Sequence, residues 1–163
     1  NHFNGLDFGF SSDPTAFVRI HLDSKRKIIY VVDELYMYEQ HIDGLADELK
    51  KRIPYDYVTA DSSEPRSIAD LKRHGIKALP AKKGPGSVEH GIKWLQGHKI
   101  IVDNKCVHTI QELTSYKWRE DKDGNAIARP VDDNNHILDA LRYALEPEMA
   151  QNRMTVQLFK HGI

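Results

Sequence analysis

Tyr57-Val58-Thr59-Ala60-Asp61-Ser62-Ser63-Glu64-Pro65 is the stretch at which the chain changes its pattern. Before it, the chain reads mainly as strands. After it, strands and helices alternate. Tyr57 to Ala60 is a short β-type run that delivers Asp61 at its end, and Ser63 is placed to cap a helix with Pro65 in its first turn. Upstream, Leu6-Asp7-Phe8 is a short strand, Ala16 to Leu22 alternates, and Ile28 to Val32 is almost continuously β-branched. Asp23-Ser24-Lys25 turns the second run into the third, which predicts an antiparallel meander. A helix then carries Ile42, Leu45, Ala46, Leu49 and Ile53 on one face and ends at Pro54.

Downstream, the helix begun near Ser63 stops at Gly75, and Ile76 to Leu79 is a strand. Ser87 opens a helix with Val88, Ile92 and Leu95 inward, and Gly97 stops it. Lys99 to Val102 is a strand, followed by a helix with Val107, Ile110 and Leu113. Tyr116 to Arg119 and Ala126 to Pro130 read as the arms of an added β-hairpin, and a last helix runs from Asn134 or Asn135 to Pro147. Residues 147–163 are expected to be a weakly ordered tail. Strands first and strand–helix units later predict an α/β fold, a mixed sheet with helices on its faces. If the strands ending at Asp7 and Asp61 pair side by side, the two acids become neighbours.

With 163 residues, the chain is one domain of ordinary size. Its 29% charged and 40% hydrophobic residues are a globular balance without disorder-like bias, and no apolar run approaches a membrane span. Cys106 is the only cysteine, so disulfides within the chain and thiolate zinc sites are excluded; a small buried residue on a helix in a reducing compartment is expected. A net charge of −1 lacks the basic footprint of a free-standing nucleic-acid binder. The chain starts at Asn1 without an initiator Met and enters a strand almost at once, as expected of a domain excised from a longer protein.

Three acids from distant segments carry the chemistry. Asp7 lies in Gly5-Leu6-Asp7-Phe8-Gly9, Asp61 follows a strand, and Asp139 lies on the last helix, three residues after His136. Acids brought together repel unless cations neutralise them, and an oxygen-rich cluster suits Mg²⁺ or Mn²⁺ and phosphate chemistry. Two such ions roughly 3.5–4 Å apart clamp the attacking and leaving oxygens of a phosphodiester. Asp7 is the expected bridging ligand, Asp61 and Asp139 complete one metal each, and His136 projects from the same helical face as Asp139. Taken singly, an Asp after a strand is more often a turn or cap residue. Asp139, however, sits in an otherwise apolar helix, where an unpartnered carboxylate is costly. Asp13, Asp33, Asp132 and Asp133 are competing acids; Asp13-Pro14 reads as a turn, and Asp132 and Asp133 approach a helix start.

Lys82 and Lys83 sit beside Gly84-Pro85-Gly86-Ser87, just before a helix N-terminus, and are candidate phosphate contacts. Lys117, Arg119 and Arg129 on the hairpin form a second candidate strip, with Tyr116 and Trp118 as packing residues. Nothing resembles a recognition helix, so backbone rather than base-edge contacts are expected. The residues therefore point to a metal-dependent nuclease.

The ordered set of motifs resembles the C-terminal nuclease domain of bacteriophage terminase large subunits. The match is carried by residues 5–10, Asp13-Pro14-Thr15-Ala16, residues 60–65, Lys82 to Ser87 with Gly91-Ile92, and Asn135 to Ala144, in order over residues 1–146. The resemblance implies a ribonuclease H-like fold and two-metal endonuclease activity on double-stranded DNA. It assigns metal coordination and catalysis to Asp7, Asp61 and Asp139, with His136 as a close companion and a fourth candidate, to bind the second metal or orient the attacking water. It also implies an ATPase domain elsewhere in the full-length protein, portal or procapsid and small terminase subunit partners, and action in the cytoplasm of the infected bacterial host. No Gly-x-x-x-x-Gly-Lys-Ser/Thr loop occurs, so the ATPase half is not expected in this chain. Competing readings are another ribonuclease H-like nuclease such as a junction resolvase or transposase, a non-catalytic DNA- or portal-docking module, and a sugar-kinase or actin-type nucleotide fold.

Overall fold

The computed structural model describes residues 1–38, 41–115, 122–124 and 135–150 in full, and the backbone of 118–120, 126–130 and 151–161. Eight strands and five helices lie in these residues. They are β1 His2–Asp7, β2 Thr15–Asp23, β3 Ile28–Met37, α1 Ile42–Arg52, β4 Tyr57–Ala60, α2 Pro65–Arg73, β5 Lys77–Pro80, α3 Ser87–Gln96, β6 Lys99–Val102, α4 Val107–Ser115, β7 Trp118–Glu120, β8 Ala126–Pro130 and α5 His136–His161.

Six strands form one mixed sheet in the order β5-β4-β1-β2-β3-β6. The expected meander is present, since β1–β2 and β2–β3 are antiparallel. The later strands join in parallel, β4 on β1, β5 on β4 and β6 on β3. Alternation along β2 sends Ala16, Val18, Ile20 and Leu22 to one core and Phe17 to the other. The first core is closed by Ile92 and Leu95 of α3 and by Ile137, Leu141 and Leu145 of α5; the second by Leu45 and Leu49 of α1 and Ile68 and Leu71 of α2. Helices thus cover both faces, and the β7–β8 hairpin stands as a separate two-stranded sheet.

Several expectations are corrected. β1 begins at His2 and β3 continues to Met37, because pairing with β2 satisfies backbone groups that periodicity alone does not count. Ser63 does not cap α2; Glu64 occupies that position, and Ser63 bonds Asp61 instead. Val88, Val107 and Ile110 are exposed rather than inward, and Thr109 is the buried residue of α4. Cys106 is buried just before α4 rather than on it. The last helix does not end at Pro147: α5 continues to His161 with Pro147 inside it. Met149, two residues further on, is buried in the first core, and that packing holds the helix through a residue that removes one backbone hydrogen bond.

Gly5 sets the spacing between β1 and α5. A Cβ there would lie 1.8 Å from the Ala140 carbonyl oxygen and 2.8 Å from the Ala144 nitrogen. The helix that carries His136 and Asp139 therefore rests directly on the strand that carries Asp7.

Candidate active site

Register places the first two acids. Leu6 pairs with Ala60 across the parallel β1–β4 ladder, and the Asp61 N–H donates to the Leu6 carbonyl at 3.0 Å. Asp7 and Asp61 thus leave adjacent strands at the same end. α5, lying on β1, supplies the third. Asp7, Asp61 and Asp139 line one cavity of about 440 Å³, together with Lys83, Ser87, Asn135, Arg142 and Tyr143.

Each acid already faces a cationic or imidazole partner. The His136 Nδ1 lies 3.0 Å from Asp7 Oδ2, the Lys83 ammonium pairs with Asp61, and Arg142 NH2 lies 2.6 Å from Asp139 Oδ1. Burial pushes the Asp7 pKa up; the His136 hydrogen bond opposes this, and the Asp139 charge adds to it. Burial also acts to raise Asp61, but Lys83 and the Ser63 N–H and hydroxyl outweigh it and hold that carboxyl below its ordinary value. The bond to Asp7 raises His136, against the opposing effect of its burial.

These side chains fit a divalent-cation site in chemistry. Three carboxylates from three elements converge on one cavity, and oxygen donors suit Mg²⁺ or Mn²⁺. Among the described residues no group of three acidic, histidine or cysteine side chains is arranged to hold an ion as placed, each acid being turned to its own partner. His136 reaches the site through Asp7, and its buried Nε2 has no hydrogen-bond partner among the described residues. That orphaned ring nitrogen is the kind of atom a ligand or ordered water satisfies.

The other candidates separate. Lys82 lines an adjoining cavity with Lys83, His90 and Arg142, and of the two lysines Lys83 alone also lines the acid cavity. Lys117 lies outside the described residues; Arg119 and Arg129 lie on β7 and β8, and their side chains are outside them too. Asp33 pairs with Arg52 at 2.7 Å, Asp13 sits in a turn closed by its N–H to the Phe10 carbonyl, and Asp132 and Asp133 lie outside the described residues.

Sequence reasoning missed Glu112. Its carboxylate on α4 accepts from the Ile137 N–H at 3.1 Å and the Leu138 N–H at 2.8 Å, capping the first turn of α5. Glu34 of β3 does the same for α4, accepting from the His108 and Thr109 N–H groups at 2.9 and 2.8 Å. Two carboxylates in series thus tie the sheet to α4 and α4 to the helix bearing His136 and Asp139. The missed signal is an acid beside Leu113, on a helix whose neighbouring apolar residues leave it half-buried. Burial pushes Glu112 up to about 7 although the two N–H groups pull it down.

Because the folded value exceeds the ordinary 4.5, the native state holds more protons between those limits. The associated stability is present below the lower value and lost as pH rises through the upper one. Melting curves should therefore show the wild type losing stability from pH 5 to pH 8 more steeply than Glu112→Gln. Parallel pH dependences would refute a titrating Glu112.

A family model described as the terminase RNase H-like domain matches residues 7–147. The chain belongs to this family. It is 41% identical over 157 residues to the large terminase subunit of Bacillus phage SPP1, covering 93% of this chain and 37% of that protein. It is 33% identical over 144 residues to the PBSX phage terminase large subunit of Bacillus subtilis (strain 168), covering 87% of this chain and 33% of the relative. The crystal structure of the SPP1 g2p large terminase nuclease domain with bound Mn superposes with a TM-score of 0.85 at 42% identity, covering 91% of this chain and 86% of that one. The chain spans about a third of the length of the curated relatives it matches. The six-stranded mixed sheet with helices on both faces is the RNase H-like fold of this terminase family. No helix among the described residues is long and apolar enough to cross a membrane.

Proposed function

We propose that residues 1–146 form the nuclease domain of a terminase large subunit, a divalent-metal-dependent endonuclease that cuts double-stranded DNA during viral genome packaging. The observation carrying this reading is the convergence of Asp7, Asp61 and Asp139 on one cavity, in a fold shared with a Mn-bound terminase nuclease domain. Asp7, on the central strand, would bridge two ions, with Asp61 and Asp139 each completing one. Bound Mg²⁺ or Mn²⁺ would supply Lewis-acid chemistry, neutralising charge on the phosphodiester and lowering the pKa of water.

The chain's own residues do the rest. His136 holds Asp7 in one rotamer through its 3.0 Å contact, and the Asp61–Ser63 bonds fix the second carboxylate. Lys83, with 41% of its side chain exposed, can leave Asp61 for a DNA phosphate as cations load. Lys82 borders the adjoining cavity as a second phosphate contact, and Lys117, Arg119 and Arg129 are kept as candidate contacts to the DNA backbone on sequence grounds alone. Hydrolysis by in-line attack of water leaves 3′-hydroxyl and 5′-phosphate ends. An ATPase domain in the full-length protein, the portal or procapsid and a small terminase subunit complete the packaging machine, in the cytoplasm of the infected host.

Plasmid cleavage with each metal tests the reading. Activity is expected with both ions and at least as high in Mn²⁺, because an imidazole near the acids suits Mn²⁺ better. A clear Mg²⁺ preference would remove His136 from the ligands. Metal binding by calorimetry without any cleavage would overturn the nuclease reading in favour of a docking module.

A further inference from the structure

Among the described residues, Arg142 is the arginine that borders both the acid-lined cavity and its neighbour. It is only 9% exposed, yet its described contacts account for little of its donor capacity. Its Nη2 meets Asp139, while the buried Nε has no partner among the described residues. A guanidinium carries five donors in a rigid plane and cannot shed its charge, so a buried, under-partnered one calls for an acceptor of matching shape. Carboxylate and phosphate oxygens both meet that description, accepting the fork through paired short bonds, and in a cavity whose own carboxylates are already in place a phosphate is the acceptor that a substrate brings.

The surrounding chain makes room for this side chain. Gly91 of α3 faces it, and a Cβ at that position would lie 2.9 Å from Arg142 Cδ and 3.2 Å from Cγ. The stem therefore lies against a bare stretch of α3. The guanidinium sits one helical turn beyond Asp139, on the wall of the cavity that the three acids share. Any phosphodiester that reaches those acids enters the same cavity.

We propose that Arg142 binds a backbone phosphate of the DNA at the cleavage site, exchanging or sharing Asp139 for a phosphate oxygen when the duplex enters. This rests on the nuclease reading above and adds to it a binding residue that positions the substrate against the acids. Gly91 acts through Arg142 as a positioning residue, because the stem reaches its place only where α3 lacks a side chain.

The test compares wild type, Arg142→Met and Arg142→Lys by fluorescence anisotropy on a labelled duplex in Ca²⁺ buffer at several salt concentrations, with Mn²⁺ binding measured separately by calorimetry. Methionine retains the packed stem and removes the charge. Arg142→Met is expected to bind duplex roughly tenfold or more weakly, the loss for a charged hydrogen bond. Its salt slope should fall by about 1, as for the loss of one phosphate contact. Its Mn²⁺ affinity should hold or improve, since Asp139 loses a competing cation. Arg142→Lys should recover the slope and part of the affinity.

Wild-type affinity and slope in Arg142→Met would overturn the proposal. So would equal weakening in the Met and Lys variants, which marks a packing role. If Arg142→Met does not fold, Gly91→Ala is read in the same assay, with weaker duplex binding expected and unchanged binding refuting the idea. A wild type that neither binds nor cuts duplex would remove the nuclease reading itself. A wild type that does both, beside an Arg142→Met that binds as tightly, would remove this inference alone.

Discussion

Asp7→Asn is expected to abolish DNA cleavage while leaving the domain at least as stable as the wild type. Asp7 is buried, burial raises its pKa, and the Asp139 and Asp61 charges raise it further. A carboxylate in that position at neutral pH is held charged against desolvation and against two like charges, with one compensating bond from His136. Asparagine keeps the shape and an acceptor for the imidazole but removes the charge. The repulsion disappears and the melting temperature should hold or rise by a few degrees, roughly 2–4 °C per kcal/mol for a domain of this size. The same change removes the proposed bridging ligand. Losing several kcal/mol of charge stabilisation in the transition state corresponds to roughly a thousandfold or more in rate. Thermal melts and plasmid nicking on one preparation read both effects. An Asp7→Asn protein that cuts at the wild-type rate would end the assignment of this cavity as the active site, and one that fails to fold would show that Asp7 is structural.

Gly5→Ala should be the most damaging single substitution in the sheet. Its methyl group would stand 1.8 Å from a backbone oxygen of α5, with further backbone atoms at 2.8 Å, and no rotamer can relieve a clash with main chain. Either α5 lifts from β1, uncovering Ile137, Leu141 and Leu145, or the strand distorts. Interiors packed at crystal density do not absorb such a shift, and a loss of about 4 kcal/mol or more is expected. Even a folded variant should cleave poorly, because moving α5 carries Asp139 away from Asp7, and a displacement of about 1 Å can reduce catalysis by roughly a hundredfold. Urea denaturation gives the first effect and cleavage the second. A Gly5→Ala protein with an unchanged denaturation midpoint would mean that the strand and helix are not in contact as described.

Much of the architecture was legible because it is written locally. The alternation in Ala16–Leu22, the β-branched run Ile28–Val32 and the stops at Pro54, Gly75 and Gly97 each act within a few residues. The apolar runs ending at Asp7 and Asp61 left the pairing of their strands as a condition, which the parallel β1–β4 ladder meets. Local reading failed where the deciding contact is remote. Pro147 reads as a stop, yet core packing of Met149 keeps the helix going. Ser63 reads as a cap, yet a carboxylate two residues earlier takes its hydroxyl.

The sequence by itself determined the kinds of element, their order, the family and the three acids worth watching, because periodicity, breakers and motif order all reside in neighbouring residues. Tertiary structure alone decided who meets whom. His136 lies on Asp7 across 129 positions, Lys83 on Asp61, and Glu112 beneath the first turn of α5. Those pairings depend on strand register and on the closeness that Gly5 permits between β1 and α5. A side chain's charge is fixed by its identity, but its partner and its pKa are fixed by what the fold packs against it.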